Sequence, residues 1–173
     1  MARPVLPNLL LTSHRDIAMR HHTLITAALL MLAASPGIAS DARVPLHEKN
    51  GATLYVAGQI EGYGRTEFLL DTGASYLAIN EKMLKALERN GHARYLRHLA
   101  GTMADGSRQA IPIYRISSIV IGENCQLRDV EAAVLPGNTR GILGLSVLRR
   151  TAPFTLSMDP PQLSLSGCED PQA

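Results

Sequence analysis

The sequence predicts an all-β domain with one or two short helices, and three observations carry that prediction. Apolar residues fall mostly in short runs that alternate with polar ones, the period-2 signature of half-buried strands. Turn formers such as Asn50-Gly51, Gly62-Tyr63-Gly64, Asp105-Gly106 and Pro136-Gly137-Asn138 separate those runs. Only Asn80 to Gly91, and more briefly Ser146 to Arg150, follow a helical pattern. With no Trp and 4% aromatic residues, the core must be built from Leu, Ile, Val and Ala.

The 173 residues suffice for one domain of ordinary size plus a leader. Residues 23–34 (TLITAALLMLAA) are apolar, follow Arg20, His21 and His22, and lead through Pro36 and Gly37 to small residues. A charged start, a short apolar run and a small-residue exit describe a secretory signal. Residues 1–40 are therefore read as a signal peptide cleaved after Ser40, with Ser35 and Ala39 as alternative sites. Met19 stands just before the basic patch, which makes residues 1–18 a candidate extension ahead of the native start. The run is shorter than the roughly 20 apolar residues that span a bilayer. The expectation is an exported protein, periplasmic or secreted, that meets a membrane only if the leader stays uncleaved. A buried N-terminal helix is the competing reading.

The leader carries Arg3, Arg15 and Arg20 against Asp16, so 14 basic and 14 acidic residues of the original 17 and 15 remain beyond it. A balanced chain has no electrostatic footprint for nucleic acid or anionic lipid. The six His are scattered, none beside Cys or Glu at a metal-ligand spacing, so no metal or cofactor is expected.

Residues 41–51 are polar, contain Pro45 and end at Asn50-Gly51, which reads as a flexible arm before a domain at 52–166. From Thr53 to Ile60, Leu54, Val56 and Ile60 alternate with polar neighbours as a first strand, and Arg65 to Leu70 form a second. Tyr76 to Ile79 give a short strand. Helix 81–90 has Asn80 as N-cap, Met83, Leu84 and Leu87 on one face, a Glu81–Lys85 pair and Gly91 at C′. Arg94 to Ile113 predict a long, poorly buried hairpin with its tip at Met103, Ala104, Asp105 and Gly106. Strands follow at Ile116 to Ile121, Val130 to Val134, Gly141 to Leu145 (interrupted by Gly144), Phe154 to Met158, and Leu163 with Leu165. Residues 167–173 read as a polar tail.

The segment Phe68-Leu69-Leu70-Asp71-Thr72-Gly73-Ala74-Ser75 organises the rest. A buried strand that ends in a tight loop presents the Asp71 carboxylate at its tip. Gly73 lets the backbone turn and lets a second chain or a substrate come close, and Thr72 can brace the loop. Alone, an Asp-Thr/Ser-Gly triplet arises by chance in about one chain in ten of this length. Here it is joined by a second motif, Ile142-Leu143-Gly144, and by the hairpin between them.

That order of parts resembles the retropepsin-like aspartic proteases, the single-domain relatives of pepsin, over roughly residues 52–166. The resemblance implies a closed β-barrel with a flap hairpin (Met103 to Gly106) and an aspartic endopeptidase acting on peptides or proteins. It implies Asp71 as the catalytic acid, Thr72 bonding across a dimer axis and Gly73 close to the attacking water. Ala74 matches the viral enzymes, whereas Ser75 replaces a second acid of the viral motif. The helix at 81–90 also departs from the viral enzymes and looks like that of exported bacterial members.

The chemistry needs two carboxylates sharing one proton, and this chain has one Asp-Thr-Gly. Asp105-Gly106 lacks the apolar approach strand, so a homodimer is expected to supply the second Asp71. Cys125 and Cys168 are either a disulfide or two free thiols. Two other functions stay open at this point. One is a dimeric binding or assembly module of the same fold without turnover; the other is an unrelated envelope β-barrel. Inhibition by a pepstatin-type compound and dimer-dependent activity separate the enzyme from both.

Overall fold

The computed structural model describes residues 40–49, 51, 53–102 and 105–169. The leader expected at 1–40 lies outside them except for Ser40, as do Met103, Ala104 and the last four residues. Among the described residues no helix is long and apolar enough to cross a membrane. The elements run β1 (Ser40–Lys49), β2 (Thr53–Ile60), β3 (Gly64–Leu70), β4 (Leu77–Asn80), α1 (Glu81–Arg89), β5 (Ala93–Thr102), β6 (Arg108–Ile121), β7 (Cys125–Leu135), β8 (Gly141–Leu143), α2 (Leu145–Arg150), β9 (Phe154–Met158) and β10 (Pro161–Cys168). The architecture is all-β with two short helices, as the alternating pattern predicts.

The strands hydrogen-bond in the order β5-β6-β7-β4-β8-β3-β2-β1-β10-β9. A further pairing of Gly58–Ile60 in β2 with Ile119–Ile121 in β6 closes six of them into a ring. Gly58 permits that closure. A Cβ there would stand 2.7 Å from the Val120 carbonyl oxygen and 2.9 Å from the Phe68 ring. The apolar face of each alternating strand points into the ring, where Val56, Ile60, Phe68, Leu77, Ile79, Ile116, Ile119 and Leu143 are fully buried. Helix α1 packs Met83 and Leu87 on this core, and the Asn80 side chain caps it by accepting from the Met83 N–H at 2.8 Å.

Three expectations need correction. Residues 41–51 are not a flexible arm: β1 pairs through residues 40–45 with β10 and through Leu46–Lys49 with β2. Its period-2 signal is present, since Ala42, Val44 and Leu46 are buried while Asp41, Arg43 and His47 are exposed. Pro45 is tolerated because it sits, exposed, where the strand changes partners and needs least from a backbone N–H. The polar tail likewise starts later than residue 167. Gly167 and Cys168 belong to β10, and the Glu169 N–H donates to the Gln126 carbonyl at 3.0 Å. Finally, the second hairpin arm and the strand at 116–121 are one 14-residue strand, β6.

Cys125 and Cys168 are joined in a disulfide with their Cα atoms 4.8 Å apart, which ties the end of β10 to the start of β7. Around it, Arg150 donates to Glu169 at 2.6 Å, and the Arg128 N–H donates to the other Glu169 carboxylate oxygen at 3.0 Å.

Candidate active site

Asp71 is the first residue beyond β3, and β8 fixes where that strand ends. β8 lies between β3 and β4, parallel to the first (Leu69 opposite Ile142) and antiparallel to the second (Ala78 opposite Ile142). The Asp71 N–H donates to the Leu143 carbonyl at 3.2 Å, one step past the last strand pair. The chain then turns. The Gly73 N–H donates to Asp71 Oδ1 at 2.8 Å and the Ala74 N–H to the Asp71 carbonyl at 3.2 Å, an Asx-type turn around the carboxylate. Asp71 is half-buried, with Thr72, Gly73 and Ser75 exposed beside it. The Thr72 hydroxyl makes no hydrogen bond among the described residues, so the bracing within the protomer comes from Asp71 itself and from the backbone.

The second motif holds the far side of the loop. Leu145 N–H donates to the Ala74 carbonyl at 2.8 Å, Ser146 N–H to the Ser75 carbonyl at 3.0 Å, and Leu77 N–H to Ser146 Oγ at 3.1 Å. These bonds need Gly144 between them, because a Cβ there would fall 2.2 Å from the Tyr76 carbonyl oxygen and 2.7 Å from that of Ala74. Both are backbone atoms with no rotamer to give way. Gly144→Ala is therefore expected to cost about 2–3 kcal/mol of stability and to loosen the Asp71 loop, measured by denaturant titration. Wild-type stability in that variant would mean the loop does not depend on this approach.

The hairpin is formed by β5 and β6, with exposed Asp105 and Gly106 at its tip. Hydrogen bonds from Ser107, one of them from its N–H at 2.9 Å, hold the Asp105 carboxyl below the usual carboxylate range. The hairpin meets the Asp71 region through side chains that no sequence pattern marks. Arg97 on β5 donates to both oxygens of Glu131 on β7, at 2.7 and 3.2 Å, and lies 3.5 Å from the Tyr76 hydroxyl. Those hydrogen bonds lower the Glu131 carboxyl and raise the Arg97 guanidinium from their ordinary values. A carboxylate depressed on folding contributes stability above its unfolded value and gives it up only as pH falls through the lower folded one. The Arg97–Glu131 tie between the hairpin and β7 thus persists in mild acid.

The structure brings Asp71, Thr72, Gly73, Ala74 and Ser75 together with Ile142, Leu143 and Gly144, and brings Cys125 to Cys168 elsewhere in the fold. Among the described residues no group of three or more His, Cys, Asp or Glu is placed to hold a metal.

A family model described as "gag-polyprotein putative aspartyl protease" matches residues 56–150, a span from β2 to the end of α2. In fold the chain is similar to the crystal structure of a retropepsin-like aspartic protease from Rickettsia conorii, with a TM-score of 0.51 and 19% sequence identity. The match covers 73% of this chain and 90% of that one. No curated protein matches the chain.

Proposed function

Because this chain belongs to the retropepsin-like aspartic protease family, we propose that it is an aspartic endopeptidase whose two catalytic carboxylates are the Asp71 side chains of a homodimer. The single observation that carries this reading is the Asp71 loop, which is complete, braced by β8 and open to solvent on the Thr72–Gly73 side. One carboxylate, unprotonated, takes a proton from a water lying between the pair. The other, protonated, donates to the carbonyl oxygen of the scissile bond. The water oxygen bonds to the carbonyl carbon, the C–N bond breaks, and the transferred proton leaves on the amine. Two carboxylates held this close share one proton, since both cannot ionise.

Several features support a second copy as the partner. Thr72 is exposed and its hydroxyl makes no hydrogen bond among the described residues, as a contact across a two-fold axis requires. β9 is the outermost strand of its sheet, and Leu156 and Met158 on it are 41% and 54% exposed, unusual for large apolar side chains. The Cys125–Cys168 disulfide supports an exported location, because such bonds persist in oxidising compartments.

The test is cleavage of a mixed peptide library by the purified protein from acidic to neutral pH over a dilution series. The expected result is cleavage whose rate falls faster than linearly on dilution. A rate strictly proportional to concentration, down to where the protein is monomeric, would contradict the dimer.

A further inference from the structure

We propose that the face of the β5–β6–β7 ribbon turned toward the Asp71 loop is a subsite for an acidic side chain of the substrate peptide, with Arg94 and Arg115 as the residues that select it. The inference rests on the reading of Asp71 as the reaction centre and adds the substrate class.

The strand register builds this face. Arg94, Arg115 and Glu131 stand directly opposite one another across the three strands, and Arg97, Ile113 and Ala133 form the adjacent row. Directly paired residues share a face, and Ile113 and Arg115 are two residues apart, so both rows lie on the same side. Tyr95, Tyr114 and Ala132 occupy the row between them and point to the other side. The arginine face is the one that Tyr76 meets, through Arg97. Tyr76 is five residues past Asp71, so the two Cα atoms are at most about 17 Å apart. An extended peptide covers that distance in about five residues, which puts the Arg97 end of this face within reach of a substrate centred on Asp71, with the Arg94–Arg115 row next to it on the same side.

The charges on this face do not balance. Three arginines face one carboxylate. Arg97 takes both oxygens of Glu131, whereas Arg115 approaches the same group only to 3.9 Å. Arg115 Nε is buried with no hydrogen-bond partner among the described residues, and Arg94 makes no ion pair among them. The Arg115 side chain as a whole is 39% exposed, where an arriving carboxylate can pair with it. Beyond the leader the chain is charge-balanced, so this surplus is local, the arrangement that favours a ligand of opposite sign. Arg97, pinned by Glu131, keeps the ribbon in register with the loop and leaves the other two arginines to the substrate.

The experiment compares an octapeptide carrying Glu near its cleavage site with the same peptide carrying Gln. Binding to Asp71→Asn is followed by calorimetry near pH 6, where peptide carboxylates are ionised, and turnover is followed with the wild-type chain. The Glu peptide is expected to bind about tenfold tighter at low salt, and the advantage to shrink severalfold at high salt. In Arg94→Gln/Arg115→Gln on the Asp71→Asn background the ratio should approach one. Arg94→Gln alone, at an exposed position with little bearing on folding, should lower it about threefold. Equal affinities for the two peptides, or a preference that survives both variants, would overturn the subsite. A charge preference in binding with no turnover of either peptide by the wild type would uphold the subsite and overturn the catalytic reading.

Discussion

Asp71→Asn is expected to fold as the wild type does and to lose peptide-bond cleavage by about a thousandfold or more. The substitution separates structure from chemistry unusually well at this position. The Gly73 N–H donates to Asp71 Oδ1, and an Asn amide oxygen accepts the same bond, so the Asx-type turn survives. The Asp71 N–H and carbonyl, which tie the loop to Leu143 and Ala74, are unaffected. What disappears is the ability to take up and release a proton, and in a homodimer both carboxylates vanish at once. Circular dichroism and denaturant titration check the fold, and peptide cleavage checks the activity. Retention of more than a few per cent of activity by a well-folded Asp71→Asn would remove Asp71 from the chemistry.

Removing the disulfide carries the largest expected cost in stability. Cys125 and Cys168 close a loop with a sequence separation of 43 residues, and the loss of that constraint on the unfolded chain corresponds to about 4 kcal/mol. Ala is the better replacement, since both positions are buried and a Ser hydroxyl there would need an acceptor. The damage should begin at the end of β10, where Glu169 and its arginine partners lose their anchor on β7. Leu163 and Leu165, fully buried opposite β1, follow as the strand frays. Denaturant titration of Cys125→Ala/Cys168→Ala, beside the reduced wild type, should show both losing about 3–4 kcal/mol. A change below 1 kcal/mol would mean that the hydrogen bonds around Glu169 hold the strand unaided.

Local signals made most of the fold readable. Alternation marked β2, β7 and β9, apolar runs beside turn formers marked β3 and the second half of β6, and Asn80 marked the start of α1 by the bond its side chain makes. Gly144 was readable as a point of close backbone approach, and the structure identifies the approaching atoms as the Ala74 and Tyr76 carbonyls. Two kinds of feature were harder to see. β1 has the pattern of a strand, but its polar outer face and Pro45 resemble a linker, and only pairing with β10 and β2 buries its inner face. The contacts among Tyr76, Arg97, Arg115 and Glu131 depend on strand register, which joins residues 21 and 34 positions apart. A single sequence carries no local trace of such partners. A bulge between Tyr95 and Arg97 shifts the alternation as well, so even a correct strand assignment would have put Arg97 on the wrong face.

The central claim is that one chain supplies half of the catalytic pair, and subunit mixing tests it most directly. Wild-type protein at a fixed concentration is equilibrated with increasing Asp71→Asn, and peptide cleavage is followed. Exchange into mixed dimers should drive activity down toward zero as the inactive subunit reaches excess, because a mixed pair holds a single carboxylate. Activity that stays constant per wild-type chain, with exchange verified by labelled subunits, would contradict the account.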